Sequence, residues 1–118
     1  MSVPEESLQA RQIRAAKSQS LFREANERIL ELGSPLDVID FACECVREGC
    51  AETVPLTPAQ YEKVRRFPTH FVICPGHDAP EVERVIKGNG RYAVVEKFGA
   101  AGPVAVRLDP RARRSGSG

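Results

Sequence analysis

The sequence predicts an α+β domain with a long N-terminal helix, two short helices and a small, mostly antiparallel sheet. The long helix is predicted because good helix formers follow Pro4 without an internal Gly or Pro as far as Leu32. The sheet is predicted because short runs rich in Val and Ile, bounded by Gly or Pro, fill much of the later sequence. The third observation is the close spacing of Cys43, Cys45 and Cys50, which indicates a crosslink in a chain of 118 residues.

The N-terminal helix is predicted to begin at a capping box formed by Ser2 and Glu5 and to end at Gly33. Its first half is polar, whereas its second half carries an apolar stripe with a spacing of three and four residues. The stripe consists of Leu21, Phe22, Ala25, Ile29 and Leu32. We therefore expect residues 1–20 to project from the domain, where the helix can contact a protein partner or a second copy of the chain.

The remaining elements follow from local signals. Thr57, Pro58 and Gln60 form a strong helix start, because threonine and glutamine complete a capping box and proline suits the first turn. The predicted elements are strands over 38–41, 51–56 and 71–74, helices over 57–66 and 78–87, and a hairpin of strands over 92–96 and 104–108. They belong to one domain over residues 21–109, and a flexible basic tail is expected over 110–118.

The cysteine segment and a second loop together predict a zinc site. Cys43 and Cys45 alternate at a strand end, so both sulfurs can face one point, and a turn containing Gly49 can return Cys50 to it. Cys74 and His77 compete for the fourth position, because the Pro-Gly turn between them lets either residue reach. Thiolates and imidazole are typical zinc ligands, and a closed set of four is typical of a structural zinc knuckle. Glu44 lies between two ligands and is expected to point away from them.

Several strings of residues resemble a group of small uncharacterised actinobacterial proteins. The strings are Phe41-Ala-Cys-Glu-Cys45 with Cys50, Val54-Pro-Leu-Thr-Pro-Ala-Gln-Tyr61, Phe71-Val-Ile-Cys-Pro-Gly-His77 and Val94-Val-Glu-Lys97. The resemblance covers roughly residues 20–110. That group carries the three cysteines and the Pro-Gly-His, and its residue before the proline is often aliphatic. The resemblance therefore implies Cys43, Cys45, Cys50 and His77 as ligands and Cys74 as a core residue, and it implies no activity.

Nucleic-acid binding is the first alternative function. A basic patch is formed in sequence by Lys63, Arg65, Arg66 and His70 together with the segment 107–114. A net charge of +1 and only seven aromatic residues (five Phe and two Tyr) argue against it, because nucleic-acid binders need a strong positive field and stacking side chains. A solvated charged face is the simpler interpretation of this patch.

A thiol-based redox sensor or enzyme is the second alternative. Cys74, His77 and Asp78 can be assigned as nucleophile, base and orienting group, but such chemistry needs a thiolate of low pKa within reach of the base. The histidine has a competing use as a ligand, and Cys74 follows three apolar residues. An iron–sulfur cluster would need four thiolates and would make Cys74 the fourth.

The chain is expected to be cytoplasmic. No apolar run approaches the roughly 18 residues of a membrane span, and the polar, acidic segment from Pro4 to Ser7 does not resemble a signal peptide. Thiols stay reduced in the cytoplasm, which favours a bound metal over disulfides. The functional interpretation is a non-enzymatic, zinc-binding regulatory domain that acts through protein–protein contacts and not at a membrane.

Overall fold

The computed structural model describes residues 7–34, 37–47 and 49–115, and it confirms the α+β class. Four helices and five strands are present in these residues. In chain order the elements are α1 Leu8–Leu32, β1 Ile39–Ala42, β2 Thr53–Leu56, α2 Pro58–Arg65, β3 His70–Ile73, β4 Glu83–Gly88, β5 Ala93–Lys97, α3 Ala101–Arg107 and α4 Pro110–Ser115.

The strands form two antiparallel sheets. In the smaller sheet β1 pairs with β2, and Phe41 lies opposite Val54. In the larger sheet β5 lies between β3 and β4, and Val95 pairs with Phe71 on one side and Val85 on the other. The cysteine segment that follows β1 joins the two sheets, because the Glu44 amide donates a hydrogen bond to the carbonyl of Val72 at 2.8 Å.

The main apolar core lies between the two sheets and α2. Its largest fully buried apolar members are the side chains of Tyr61, Phe41, Phe71, Leu56 and Ile73. The rings of Phe41 and Tyr61 stack with their centroids 4.6 Å apart. A second, smaller apolar cluster joins the first half of α1 to α3, and Ala16, Val82, Ala101 and Val104 are its buried members.

Two sequence predictions about helix α1 are wrong. Its buried face is mostly polar, whereas Leu21 and Leu32 of the predicted inward stripe are 68% and 89% exposed. The predicted projection of residues up to 20 is also wrong for the described part, because Ala16 is fully buried and Gln12 donates a hydrogen bond to the carbonyl of Glu81 at 3.1 Å. The physical reason is that buried backbone and carboxylate groups of the domain require polar partners, several of which this face of α1 provides.

The start of α1 also differs from the prediction. Ser7 has an extended conformation, and its hydroxyl oxygen accepts a hydrogen bond from the amide of Ala10 at 3.1 Å, so that Ser7 is the N-cap. The predicted capping box of Ser2 and Glu5 lies outside the described residues. By contrast, the predicted start of α2 is confirmed, because Thr57 and Gln60 form the reciprocal capping box and Pro58 occupies the first turn.

Two later elements were assigned to the wrong class. Residues 83–88, predicted as part of a helix, form β4, because this segment pairs with β5 and leaves Val85 and Ile86 exposed. Residues 104–108, predicted as a strand, lie mostly in α3, whose buried positions Ala101, Val104 and Ala105 have helical spacing and face α1. In both segments the tertiary partner decides the conformation, because the few apolar residues in each fit the spacing of a helix or of a strand.

The predicted flexible tail is ordered as far as Ser115. Residues from Pro110 form α4, and the Arg111 guanidinium bonds to the carboxylates of Glu27 and Glu62, with shortest distances of 2.7 and 2.8 Å. The final residues, 116–118, lie outside the described part of the chain. None of the helices in the described part has both the length and the apolar character that a membrane span requires.

Candidate metal centre

The first loop of the site continues directly from strand β1. The Cys43 amide donates a hydrogen bond to the carbonyl of Glu52 at 3.0 Å, which extends the pairing of the small sheet by one step. The chain then turns, and the Cys50 amide donates to the carbonyl of Arg47 at 3.2 Å. Gly49 has a φ of +76°, a conformation that L side chains rarely adopt, so glycine suits this turn. The turn returns Cys50 to the same side as Cys43 and Cys45.

The second loop is a tight turn after strand β3. The His77 amide donates a hydrogen bond to the carbonyl of Cys74 at 3.1 Å, and Gly76 has a φ of +83°. A proline followed by a glycine with positive φ is typical of a type II turn, and Pro75 and Gly76 are the two central residues of this turn. The Arg47 guanidinium donates to the carbonyl of Gly76 at 2.9 Å and so ties this loop to the first one.

The two loops bring together Cys43, Cys45, Cys50 and His77. Their candidate ligand atoms all lie within 4.8 Å of one another. The Nδ1 atom of His77 is 3.6 Å from the Cys43 sulfur and 3.7 Å from the Cys50 sulfur. In a tetrahedron with zinc–sulfur bonds of about 2.3 Å and a zinc–nitrogen bond of about 2.05 Å, the sulfur–nitrogen edge is about 3.6 Å. The side chains therefore have the spacing of a four-coordinate metal site.

Further hydrogen bonds orient these ligands. The Cys74 amide donates to the Cys43 sulfur at 3.1 Å, which stabilises negative charge on that sulfur. The Nε2 atom of His77 is 3.0 Å from a carboxylate oxygen of Glu52, so this nitrogen can carry the proton and leave Nδ1 free for a metal. Sequence reasoning did not identify Glu52, because only the pairing of β1 with β2 brings it next to the second loop.

Cys74 occupies a different position from the four clustered residues. Its side chain is buried in the main core, and its thiol donates a hydrogen bond to the carbonyl of Thr53 at 3.5 Å. It belongs to a second possible group, formed with Glu52 and His77, whose candidate ligand atoms also lie within 4.8 Å of one another. Because His77 directs Nδ1 at Cys43 and Cys50, it completes the three-cysteine set, and Cys74 lies beside this set as a core residue.

The thiols are in an environment that disfavours free thiolate. Burial raises the pKa of Cys43 and of Cys45, and the nearby Cys45 raises that of Cys43 further. Burial also raises the pKa of Cys74, which makes it a poor candidate for an activated nucleophile. All four cysteines are free. Binding of a metal would displace protons from the clustered thiols, so that metal affinity would rise with pH.

Glu44 points away from the clustered ligands but not towards solvent. Its side chain is fully buried, and its carboxylate accepts hydrogen bonds from the Tyr61 hydroxyl at 2.6 Å, from Asn26 at 2.9 Å and from the Val72 amide at 3.0 Å. Its carbonyl accepts a further bond from Gln19 at 2.7 Å. Sequence reasoning missed this network; the one signal available was the row of polar residues on the inner face of α1.

Two residues of the predicted basic patch lie beside carboxylates. Arg65 is buried and bonds to the carboxylates of Glu27 at 2.8 Å and Asp109 at 2.5 Å. His70 lies 3.2 Å from a carboxylate oxygen of Glu96, so its charge would be balanced when it is protonated. The removal of Arg65 from the surface weakens the case for contacts with a phosphate backbone, which depend on several accessible cations.

A scan of the sequence against protein-family models found no match, and searches of curated proteins and of solved structures found none either. The geometry of the chain itself is therefore the basis on which its function is inferred. That geometry consists of a three-cysteine and one-histidine cluster that could hold a metal ion, built on two loops of an α+β domain.

Proposed function

We propose that the chain is a non-enzymatic regulatory domain, stabilised by a structural zinc ion, that acts through protein contacts. The observation that carries the zinc assignment is the convergence of three sulfurs and the Nδ1 atom of His77 within 4.8 Å of one another. Three thiolates and one imidazole favour zinc over harder cations such as magnesium or calcium, which prefer oxygen ligands. Four protein ligands complete a tetrahedron and leave no position for substrate, as in structural rather than catalytic zinc sites.

The structural role follows from where the ligands lie. Cys43, Cys45 and Cys50 lie in the connection between the two strands of the small sheet, whereas His77 follows strand β3 of the larger sheet. A zinc ion held by all four would crosslink the two sheets at the point where Glu44 already pairs with Val72. Such a crosslink contributes directly to folding, because the unfolded chain does not present the ligands together.

Cobalt substitution tests the proposed ligand set. We expect the full chain, loaded with Co²⁺ in place of zinc, to show the intense visible bands of tetrahedral cobalt and the charge-transfer bands of cobalt–thiolate bonds. Cys50→Ser should weaken the charge-transfer bands, and Cys74→Ser should leave them unchanged. A weak spectrum of the octahedral type, or a loss of intensity in Cys74→Ser alone, would contradict the proposal.

The outer face of α1 supports the contact role. Leu21 and Leu32 are 68% and 89% exposed there, and Ala25 between them is also exposed. The opposite face of the same helix buries Gln19 and Arg23 completely. A helix that directs polar residues inward and leucines outward is typical of a contact surface rather than of a solvated one. A second copy of the chain, which presents the same row, is the partner that we propose for this face.

Light scattering tests this contact. We expect the wild-type chain to form a dimer whose population rises with protein concentration, and Leu21→Lys with Leu32→Lys to make it monomeric without a change in the thermal stability of the monomer. The matched control is Val106→Lys, an exposed apolar residue on α3, which should leave the dimer intact. A monomer at every concentration would contradict self-association through α1.

A further inference from the structure

A groove lies between helix α2 and the larger sheet. Helix α2 packs against β3, and a groove of about 360 Å³ separates it from the edge strand β4. Val94 of β5, the central strand, and Tyr92, which immediately precedes β5, form its floor. The volume lies within the range of about 300–1,000 Å³ that is typical of ligand-binding clefts.

The walls of this groove expose large apolar side chains. Phe67, which follows α2, is 51% exposed, and Ile86 on β4 is 44% exposed. Val64 of α2 lies in the wall between them and is almost completely buried. The Phe67 ring contacts the ring of His70, with their centroids 4.7 Å apart, so that an aromatic surface borders one end. An apolar partner that covers these side chains would remove apolar surface from water, which favours binding.

Two lysines stand on opposite walls of the groove, Lys63 on α2 and Lys87 on β4. Within the described part of the chain, neither lysine has a carboxylate partner. The nearby acidic groups are already engaged: Glu96 bonds to Arg84 and His70, and Glu62 bonds to Arg111. The groove therefore combines an apolar floor with unbalanced positive charge on both sides, and an occupant with negative charge at both ends would complement it.

We propose that this groove binds an extended acidic peptide segment of a protein partner, with large apolar side chains flanked by carboxylates. The proposal rests on the proposed function as a protein-contact domain, and it assigns that function a second surface and a partner chemistry. The groove opens along β4, which in the described part of the chain pairs with β5 alone, so that an extended segment can lie beside it. Two lysines and an apolar floor suit carboxylates around an apolar centre better than a continuous phosphate backbone, which needs a longer row of cations.

The test is titration of the ¹⁵N-labelled, zinc-loaded full chain with an acetylated and amidated peptide of sequence Asp-Glu-Leu-Phe-Glu-Asp. We expect amide shift changes confined to residues 60–70 and 84–94. Lys63→Glu combined with Lys87→Glu should weaken the affinity by at least about tenfold, and Phe67→Ala should weaken it in the same direction. The control pair Lys17→Glu with Arg28→Glu, exposed on α1, should bind as the wild type does.

Three outcomes would overturn the proposal. They are no shift changes up to about 1 mM peptide, equal binding of a peptide with Lys at the four acidic positions, and tighter binding of a single-stranded oligonucleotide to the same residues. Failure of this peptide to bind would not contradict the proposed function. Dimerisation through α1 and zinc content depend on other residues and are measured by other methods.

Discussion

Glu44 is the residue at which three parts of the fold meet. Its carboxylate accepts hydrogen bonds from Asn26 of α1, Tyr61 of α2 and the backbone of Val72 in β3. It also lies between two candidate metal ligands in sequence, so that this network fixes the cysteine segment from the inside. A buried carboxylate with three donors is stable only as long as all three donors remain in place.

Removal of one donor should therefore destabilise the whole domain. We expect Tyr61→Phe, which deletes the hydroxyl 2.6 Å from Glu44, to lower the free energy of unfolding by about 2 kcal/mol, because hydrogen bonds to charged groups contribute about 1.5–3 kcal/mol. Urea denaturation measures this change. Tyr92→Phe is the matched control, since the hydroxyl of Tyr92 has no hydrogen bond to a described residue, and its effect should stay within about 0.5 kcal/mol. Equal losses in the two variants would contradict this account of Glu44.

At the scale of single residues, the sequence predicted the metal cluster better than its surroundings. The three cysteines are recognisable because cysteine has few other uses at such spacing. Spacing left the fourth position open between Cys74 and His77, and only the resemblance implied His77. Glu44 was predicted only to point away from them, and Glu52 was not identified. A glutamate in a sequence does not show whether it will be buried with donors or exposed, because its partners come from distant segments.

At the scale of elements, α1 shows why an apolar stripe can mislead. The stripe over 21–32 predicted the inward face, but the inner face is the one that supplies Gln19 and Asn26 to the backbone and carboxylate acceptors of the cysteine segment. Arg23, on the same face, donates to the carbonyls of Pro68 and His70. Its guanidinium carbon lies 3.6 Å from the centroid of the Phe71 ring. Polar contacts therefore hold the helix together with a few apolar ones, since Ile29 and Leu30 pack against the main core. Leu21 and Leu32 remain exposed and available to a partner.

Two substitutions on α1 distinguish its faces. We expect Ala16→Leu to cost about 1–3 kcal/mol of stability, because Ala16 is fully buried against α3 and a larger side chain must displace its neighbours. Leu21→Ala, on the face that is exposed within one chain, should change the stability of the monomer by less than about 0.5 kcal/mol. Thermal denaturation at low protein concentration measures both. A larger loss in Leu21→Ala than in Ala16→Leu would mean that the stripe faces inward.

The other elements were predictable where the signal is local. The start of α2 is encoded in four consecutive residues, so that its capping box forms as predicted. Segments 83–88 and 104–108 carry no such signal within them, and the few apolar residues in each fit a strand or a helix. Pairing with β5 makes the first a strand, and packing against α1 makes the second part of a helix.

At the scale of the whole molecule, a buried ion cluster joins helix α1 to helix α2 and to the segment at the start of α4. Arg65 of α2 bonds to Glu27 of α1 and to Asp109 before α4, and Arg111 bonds to Glu27 from the other side. Burial by itself would raise the pKa of each of the two carboxyls. The hydrogen bonds and charges of the arginines outweigh it, so that the pKa of Asp109 and that of Glu27 are lowered.

This cluster predicts a dependence of stability on pH. A carboxyl whose pKa is lowered by folding stabilises the native state above its unfolded pKa, which is about 3.9 for Asp and 4.3 for Glu. That contribution is lost as the pH falls through the lower, folded value. We expect the melting temperature to decrease between about pH 4.5 and 2.5. Asp109→Asn should be less stable at pH 7 and should lose less stability over that window than the wild type does.

Metal-free protein is the suitable material for this comparison, because protonation of the clustered thiols and histidine would also release a metal in acid. An Asp40→Asn variant provides the control, since Asp40 is exposed on β1 and lies outside the ion cluster. A wild-type curve that is flat between pH 4.5 and 2.5, or one parallel to that of Asp109→Asn, would contradict the proposed role of the ion cluster.

The domain consists of two sheets and a buried ion cluster, and two of its loops carry the four clustered ligands. We propose that these loops meet at one zinc ion. The most direct test of that claim is the zinc content of the native full chain, measured by elemental mass spectrometry for the wild type, His77→Ala and Cys74→Ser. The account predicts one zinc per chain in the wild type and in Cys74→Ser, and a loss of zinc in His77→Ala. Wild-type protein without zinc and with four titratable thiols would contradict it.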